Sequence, residues 1–154
     1  MITQEQVKQL FDYDENGYFV RKSNKKIAGS IDNKNYFRLT ICQKSYQLHR
    51  VIWLWHYGEL PTNDVDHIDG NPSNNKIENL RLATRSENLG NTKIQKNNTT
   101  GFKGVSFYKR TCKFQSRIQK NKKLVHLGFF DTPEEAHEAY KQAAIKHFGE
   151  FARY

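Results

Sequence analysis

Along the first sixty residues apolar side chains come in short clusters separated by polar, turn-forming pairs. Thr3 to Phe11 reads as a short helical stretch. Runs rich in aromatic and β-branched residues, Tyr18 to Lys22, Tyr36 to Cys42 and Ser45 to Leu48, predict strands, with Asn16-Gly17 and Gly29 as turn signals between them. The apolar stretch Arg50 to Tyr57 predicts a buried helix that stops at Gly58, with Pro61 just beyond. The pattern then changes. Residues 63–92 are dense in Asp, Asn and His, which suits a loop presenting ligands better than a packing segment. Within them Leu80 to Ala83 predicts a short strand. Thr84-Arg-Ser-Glu87 fits a capping box, in which the Thr hydroxyl and the Glu carboxylate each satisfy a backbone donor at a helix start. Asn88 then falls on the first or second turn of that helix, facing back toward the loop.

Asn91 to Gly101 is polar and full of turn formers. The remainder reads as strand, strand, strand, helix. In the second strand Cys112, Phe114, Ser116 and Ile118 alternate with Lys113, Gln115, Arg117 and Gln119, so one face suits a core and the other something polar. Thr132-Pro133-Glu134-Glu135 is a second capping box, with Pro where its missing N–H costs nothing. Behind it Ala136, Ala139, Tyr140, Ala143, Ala144 and His147 follow helical spacing up to Gly149. Such a helix would cover the apolar face of the sheet and leave the basic face open. The expected architecture is α+β: a β-rich N-terminal extension followed by the ligand-presenting loop, short strand and helix over 1–92, a linker at 93–101, and a three-stranded antiparallel sheet packed on one helix over 102–154.

Composition narrows the class. The chain has 154 residues, 36% of them apolar and 13% aromatic, enough for a modest core. No stretch approaches the roughly 18 apolar residues of a membrane span. The start lacks a basic and then apolar leader. A soluble, unexported, cytoplasmic protein with no membrane partner is expected, with no small-molecule cofactor and a monomeric state. Cys42 and Cys112 have no CxxC neighbour, so neither a zinc knuckle nor a disulfide framework is suggested, and both read as buried small apolar side chains.

The net charge of +9 is unevenly placed: residues 1–92 hold 12 Lys/Arg against 11 Asp/Glu, and residues 93–154 hold 13 against 5. Lys93 to Lys123 contains no acidic residue at all. Such a block points to a polyanion. Neutralising six phosphates would give a slope of log K against log salt of about −5.

The segment Val65 to Asn88 carries the candidate chemistry. Phosphodiester hydrolysis needs a base to take a proton from water, a cation to steady the developing charge, and ligands to hold that cation. His67 is the natural base, because an ordinary imidazole titrates near pH 6.5. Asp66 and a downstream amide oxygen offer hard oxygen ligands suited to Mg²⁺. An EF-hand counted from Asp64 fails, since its fifth and twelfth positions would be Ile68 and Asn75. Neighbours in a regular strand face opposite sides, so Asp66 and His67 could share a site only where the strand twists or ends. His49-Arg50 upstream is a candidate phosphate contact, while His56, His137 and His147 read as packing or surface residues.

With Asp66-His67, then Glu78-Asn79-Leu80, then Ser86-Glu87-Asn88, the stretch from about Leu48 to Asn91 resembles the HNH nucleases of phage and intron-borne homing endonucleases. The resemblance implies a ββα-metal finger with His67 as general base. Asp66 and Asn88 would hold one divalent cation, Mg²⁺ with Mn²⁺ as the alternative, and Asn79 would pin the loop and orient His67. It also implies 5′-phosphate and 3′-hydroxyl products. Many such proteins bind a structural zinc through CxxC pairs; this chain has none, so no zinc is expected and its finger must be held by its own core and by the first region.

Gly101 to Phe148 resembles the Apetala-two/ethylene-response-factor domain, through Gly104-Val105, Phe114-Gln-Ser-Arg-Ile118, Leu127-Gly128-Phe129-Phe130-Asp-Thr and Glu134-Glu-Ala-His-Glu-Ala-Tyr140. Such domains lay a three-stranded sheet into the major groove. Carried over by position, the DNA contacts would be Lys103, Ser106, Tyr108, Arg110, Arg117, Gln119 and His126; alternation adds Lys113 and Gln115. Ser106, Arg117 and His126 depart from the family's usual residues, so a plant-type target is not implied. The expected partner is double-stranded DNA and the expected activity a metal-dependent endonuclease. A non-catalytic regulatory DNA-binding protein is the alternative, and an RNA-binding protein a third reading.

Overall fold

A computed structural model describes residues 2–154 and divides the chain into two compact α+β units, Met1–Ala83 and Thr84–Tyr154. The first unit runs α1 (Gln4–Leu10), β1 (Phe11–Tyr13), β2 (Phe19–Arg21), β3 (Ser30–Ile31), β4 (Phe37–Ile41), β5 (Lys44–Gln47), α2 (Leu48–Tyr57), β6 (Asp64–His67), a 3-10 turn (Ile77–Asn79) and β7 (Leu80–Ala83). β1 and β2 form one antiparallel hairpin, β3, β4 and β5 a meander, and β6 and β7 a second hairpin. The Thr3 hydroxyl accepts from the Gln6 N–H while the Gln6 side chain accepts from the Thr3 N–H, closing the start of α1. In α2 the helical spacing of Leu48, Val51 and Ile52 makes one buried stripe, which packs with Val7, Phe11, Phe19, Leu39, Val65 and Leu80. β1 and β3 are not evident in the hydrophobic pattern, because segments of three and two residues are too short to show an alternation.

This N-terminal scaffold braces the segment between β6 and β7. The Tyr13 hydroxyl accepts from the Ile77 N–H at 2.9 Å and donates to the Asn75 carbonyl at 3.5 Å. Gly17, at φ +84°, sits so close that a Cβ there would lie 2.5 Å from the Asn75 carbonyl carbon. The Ser73 hydroxyl donates to the Asn35 carbonyl at 3.2 Å. Arg50, considered above as a phosphate contact, donates to the backbone carbonyls of Asn63 and Pro61 and so fixes the chain entering β6.

The second unit runs α3 (Arg85–Gly90), β8 (Val105–Tyr108), β9 (Lys113–Lys120), β10 (Lys123–Phe130), α4 (Pro133–Phe148) and a 3-10 turn (Gly149–Phe151). Its sheet is antiparallel in the order β10-β9-β8. Ile118 from β9 packs with Tyr140, Ala144 and Phe148 of α4, a small core. Both capping boxes form, at Thr84 with Glu87 and at Thr132 with Glu135. α3 docks tightly here. Gly90 is buried against the Phe148 ring, where a Cβ would lie 2.7 Å from the ring, and its carbonyl accepts from Lys103 Nζ at 2.7 Å and from the Arg153 N–H at 3.3 Å.

Both cysteine expectations are corrected. Cys42 and Cys112 are exposed. Each stands in a tight turn with positive φ, 48° and 50°, so neither lies in a strand facing a core. The alternation in β9 therefore starts at Lys113, one residue later than the pattern suggests.

Candidate active site and nucleic-acid interface

Asp66 and His67 end β6, and both are buried. Their cross-strand partners are Arg81 and Leu80, so successive side chains leave β6 on opposite faces. Asp66 Oδ2 meets Arg81 Nε at 3.1 Å, an ion pair within the hairpin. His67 turns toward the scaffold. Its ring lies 5.0 Å from that of His49 in an edge-on contact and 6.1 Å from Tyr36, and Tyr36 also flanks His49 at 5.8 Å.

The loop after His67 is cross-tied by amides. His67 Nε2 meets Asn75 Oδ1 at 3.1 Å, and Asn75 is itself almost wholly buried. The Asn75 amide nitrogen donates to the Ser73 carbonyl at 3.3 Å, which orients Oδ1 toward the imidazole. That arrangement places the ring proton on Nε2 and the basic lone pair on Nδ1. Asn79 ties the loop's two ends: its amide donates to Asp69 Oδ1 at 3.0 Å and to the Asn74 carbonyl at 2.8 Å, while its Oδ1 accepts from the Asp69 N–H at 3.1 Å. The Asn79 carbonyl accepts from the Ile68 N–H at 2.9 Å. Asn79 thus spans the loop, and Asn75 is the amide at the imidazole.

The titration behaviour follows from these contacts. Burial pushes His67 below the ordinary imidazole value; the Asn75 bond and the nearby Asp69 and Asp66 carboxylates oppose it without reversing it. Burial pushes His49 further, to about 3, with the His67 and Arg50 charges adding to the effect and Asp64 opposing it. Both rings are therefore neutral at physiological pH. Burial would raise Asp69, but donors from the Asn71 N–H, Asn74 and Asn79, and the charge of His67, outweigh it and hold the carboxyl below its usual range.

Asn88, half-buried on α3, belongs to the second unit. Among the described residues no group of three or more His, Cys, Asp or Glu side chains is placed to hold a metal ion. The carboxylates carried by β6, Asp64 and Asp66, are hard oxygen donors of the kind that suits a divalent ion that keeps most of its waters.

Asn75 and Tyr36 escaped sequence reasoning, and His49 reads from sequence, with Arg50, as a phosphate contact rather than as a neighbour of His67. Asn71, Asn74, Asn75 and Asn79 are indistinguishable in a loop this rich in Asn. Tyr36 and His49 lie far upstream in segments with an ordinary strand and helix pattern.

In the second unit the strand register sorts the candidate DNA contacts. Ser106 and Tyr108 on β8 stand opposite Gln115 and Lys113 on β9, and His126 on β10 stands opposite Arg117. These six, with Gln119, share the face turned away from α4. Arg110 is in the exposed turn between β8 and β9. Gln115 Nε2 meets His126 Nδ1 at 3.1 Å, Arg117 reaches the Ser106 hydroxyl at 3.5 Å, and Lys113 pairs with Asp131 at 2.8 Å. Lys103 does not join them. Its Nζ donates to the Gly90 and Arg153 carbonyls at 2.7 and 2.8 Å, and burial, with the Arg153 charge, pulls its pKa down to about 8. Its donors hold α3 and the C-terminal segment together.

A family model described as HNH endonuclease matches residues 46–89. Protein 3.8 of Escherichia phage T7 is 35% identical over 112 residues, covering 72% of this chain and 92% of that protein. An uncharacterized HNH endonuclease, L560, of Acanthamoeba polyphaga mimivirus is 37% identical over 108 residues, 69% of this chain and 55% of that one. APETALA2-like protein 2 of Oryza sativa subsp. indica is 37% identical over 79 residues, 51% of this chain and 18% of that one. Among solved structures, that of the HNH homing endonuclease I-HmuI, described with its DNA binding and cleavage, aligns at 28% identity. Its TM-score is 0.43, with 54% of this chain and 53% of that one covered. No helix among the described residues is long and apolar enough to cross a membrane.

Proposed function

The chain belongs to the HNH endonuclease family, and we propose that it hydrolyses phosphodiester bonds in double-stranded DNA with His67 as general base and one divalent cation. The observation that carries this reading is the buried, neutral imidazole whose Nε2 is held by Asn75 at the rim of a cross-tied loop. A neutral imidazole fixed in one tautomer can take a proton from water at physiological pH, through Nδ1. Asn75 and Asn79 are positioning residues: the first orients the ring, the second keeps the loop closed. Asp66 and Asn88 are the proposed oxygen ligands of the cation, with Mg²⁺ or Mn²⁺ the ions that suit them. Such an ion supplies charge stabilisation at the phosphorus and at the departing oxygen. The products would be a 5′-phosphate and a 3′-hydroxyl.

We assign residues 102–154 as an Apetala-two-like module that holds the duplex, with 1–92 as the nuclease domain and 93–101 as linker. Support comes from the three-stranded sheet with one helix behind it and from the row of polar and basic side chains on the opposite face. Incubating plasmid DNA with the protein tests the whole reading. Nicking or linearisation is expected with Mg²⁺ and none with EDTA, and His67→Ala should lower the rate at least a hundredfold while leaving DNA affinity in EDTA unchanged. Cleavage indifferent to both metal and His67 would remove the mechanism. Binding without cleavage by the wild-type protein would favour the non-catalytic regulatory reading instead.

A further inference from the structure

The open face of the β8-β9-β10 sheet is not uniformly polar. Tyr108 and Phe129 come from its two outer strands, and their rings meet over the central one at 5.2 Å. They are 36% and 41% exposed. His126 adds a third ring, 4.7 Å from Phe129. A β-bulge between His126 and Gly128 makes this possible: the extra residue shifts the register, so that His126 opposite Arg117 and Phe129 opposite Gln115 point the same way. The small core on the α4 side takes nothing from this aromatic patch. Single exposed rings need no explanation, but an apolar patch rimmed by Lys113, Gln115 and Arg117 is the composition of an interaction site.

The occupant follows from charge and shape. The stretch Lys93 to Lys123 carries no acidic residue, so the surroundings suit phosphates. In the major groove of a DNA duplex one base edge presents an apolar group, the C5 methyl of thymine, and the adenine beside it presents the donor and acceptor that a glutamine amide matches. RNA offers neither, since uracil lacks the methyl and the A-form major groove is too narrow for a sheet. We propose that Tyr108 and Phe129 read thymine methyl groups, so that this face selects duplex DNA containing A·T pairs at the centre of its footprint. The proposal rests on the reading of this sheet as the DNA-holding module and adds what that module recognises.

The test uses the full chain in EDTA, so that nothing is cut. A pool of short random-sequence duplexes is enriched by binding and then amplified with either dTTP or dUTP, giving two versions that differ only in the methyl groups. One methyl contact contributes about fourfold in affinity, or about 0.8 kcal/mol. With two contacts the uracil pool should bind at least tenfold more weakly. Phe129→Ser combined with Tyr108→Ser should erase that difference, while Phe129→Leu, which keeps apolar surface, should retain part of it. Lys113→Gln with Arg117→Gln should weaken both pools equally. Equal binding of the two pools by the wild type, or a difference that persists in the double serine variant, would overturn the methyl reading. If the charge variant still weakens both pools in that case, the sheet remains the DNA-holding face. If the charge variant changes neither affinity, the sheet assignment falls and this inference falls with it. Thermal melts of each variant exclude unfolding as the cause.

Discussion

At His67 burial and hydrogen bonding act in opposite directions. Removing water from around an imidazole disfavours its charged form, while the Asn75 oxygen and the neighbouring carboxylates favour it. Because burial wins, a base at this position is deprotonated over the whole physiological range. The cleavage rate should therefore rise with pH and reach its plateau through a midpoint below the ordinary imidazole value near 6.5. Asn75→Ala removes an interaction that favours the imidazolium, so that midpoint should move further down, and kcat should fall roughly ten- to a hundredfold from the loss of ring orientation. A pH–rate profile of the two proteins checks both effects. His49 makes a separate prediction about stability. Its Nδ1 is buried without a hydrogen-bond partner, and its pKa falls to about 3 in the fold. An unfolded His49 binds its proton near pH 6.5, so its contribution to folding is fully present above that pH and is lost as pH falls toward 3. The linkage approaches about 1.4 kcal/mol per pH unit once the unfolded histidine is fully protonated, and amounts to about 2 kcal/mol between pH 6.5 and 4.5. Urea unfolding at those two pH values should show that loss, and His49→Phe should remove much of it.

Among the elements, the β1–β2 hairpin has a role that its length conceals. Its turn residue Gly17 lies on the backbone of Asn75, and its Tyr13 hydroxyl takes the Ile77 N–H, so the hairpin braces the loop between β6 and β7. Gly17→Ala would place a Cβ in a left-handed conformation and against the Asn75 carbonyl carbon. A destabilisation of about 1–3 kcal/mol is expected. Thermal unfolding should register it, and the cleavage rate should fall along with it. The longer elements were legible beforehand: α2, β7, β9 and α4 carry enough residues to declare a period, and the two capping boxes and Gly58 mark ends. The hairpin's function was not legible, since nothing local in Asn16-Gly17 says what packs against the turn.

For the molecule as a whole, the segregation of charge makes a prediction about DNA binding. The acid-free stretch Lys93 to Lys123 should dominate binding, with a slope of log K against log salt of about −5. Lys103 should be absent from that slope because its ammonium is tied to the Gly90 and Arg153 carbonyls. Titrating the wild type and Lys103→Met in EDTA at several salt concentrations checks both statements: the slopes should match, and a slope near zero in the wild type would remove the polyanion reading. Charge distribution, helix periods, caps and the spaced Asp-His and Asn signals are properties of neighbours along the chain, so the sequence alone determined them. Which of four loop asparagines meets His67, why Lys103 leaves the polar face, and how a bulge gathers Tyr108, His126 and Phe129 depend on residues brought together from distant segments. Only tertiary structure decides those, because a hydrogen bond or a ring contact is set by distance in space, and residues far apart along the chain leave no local periodicity to announce it.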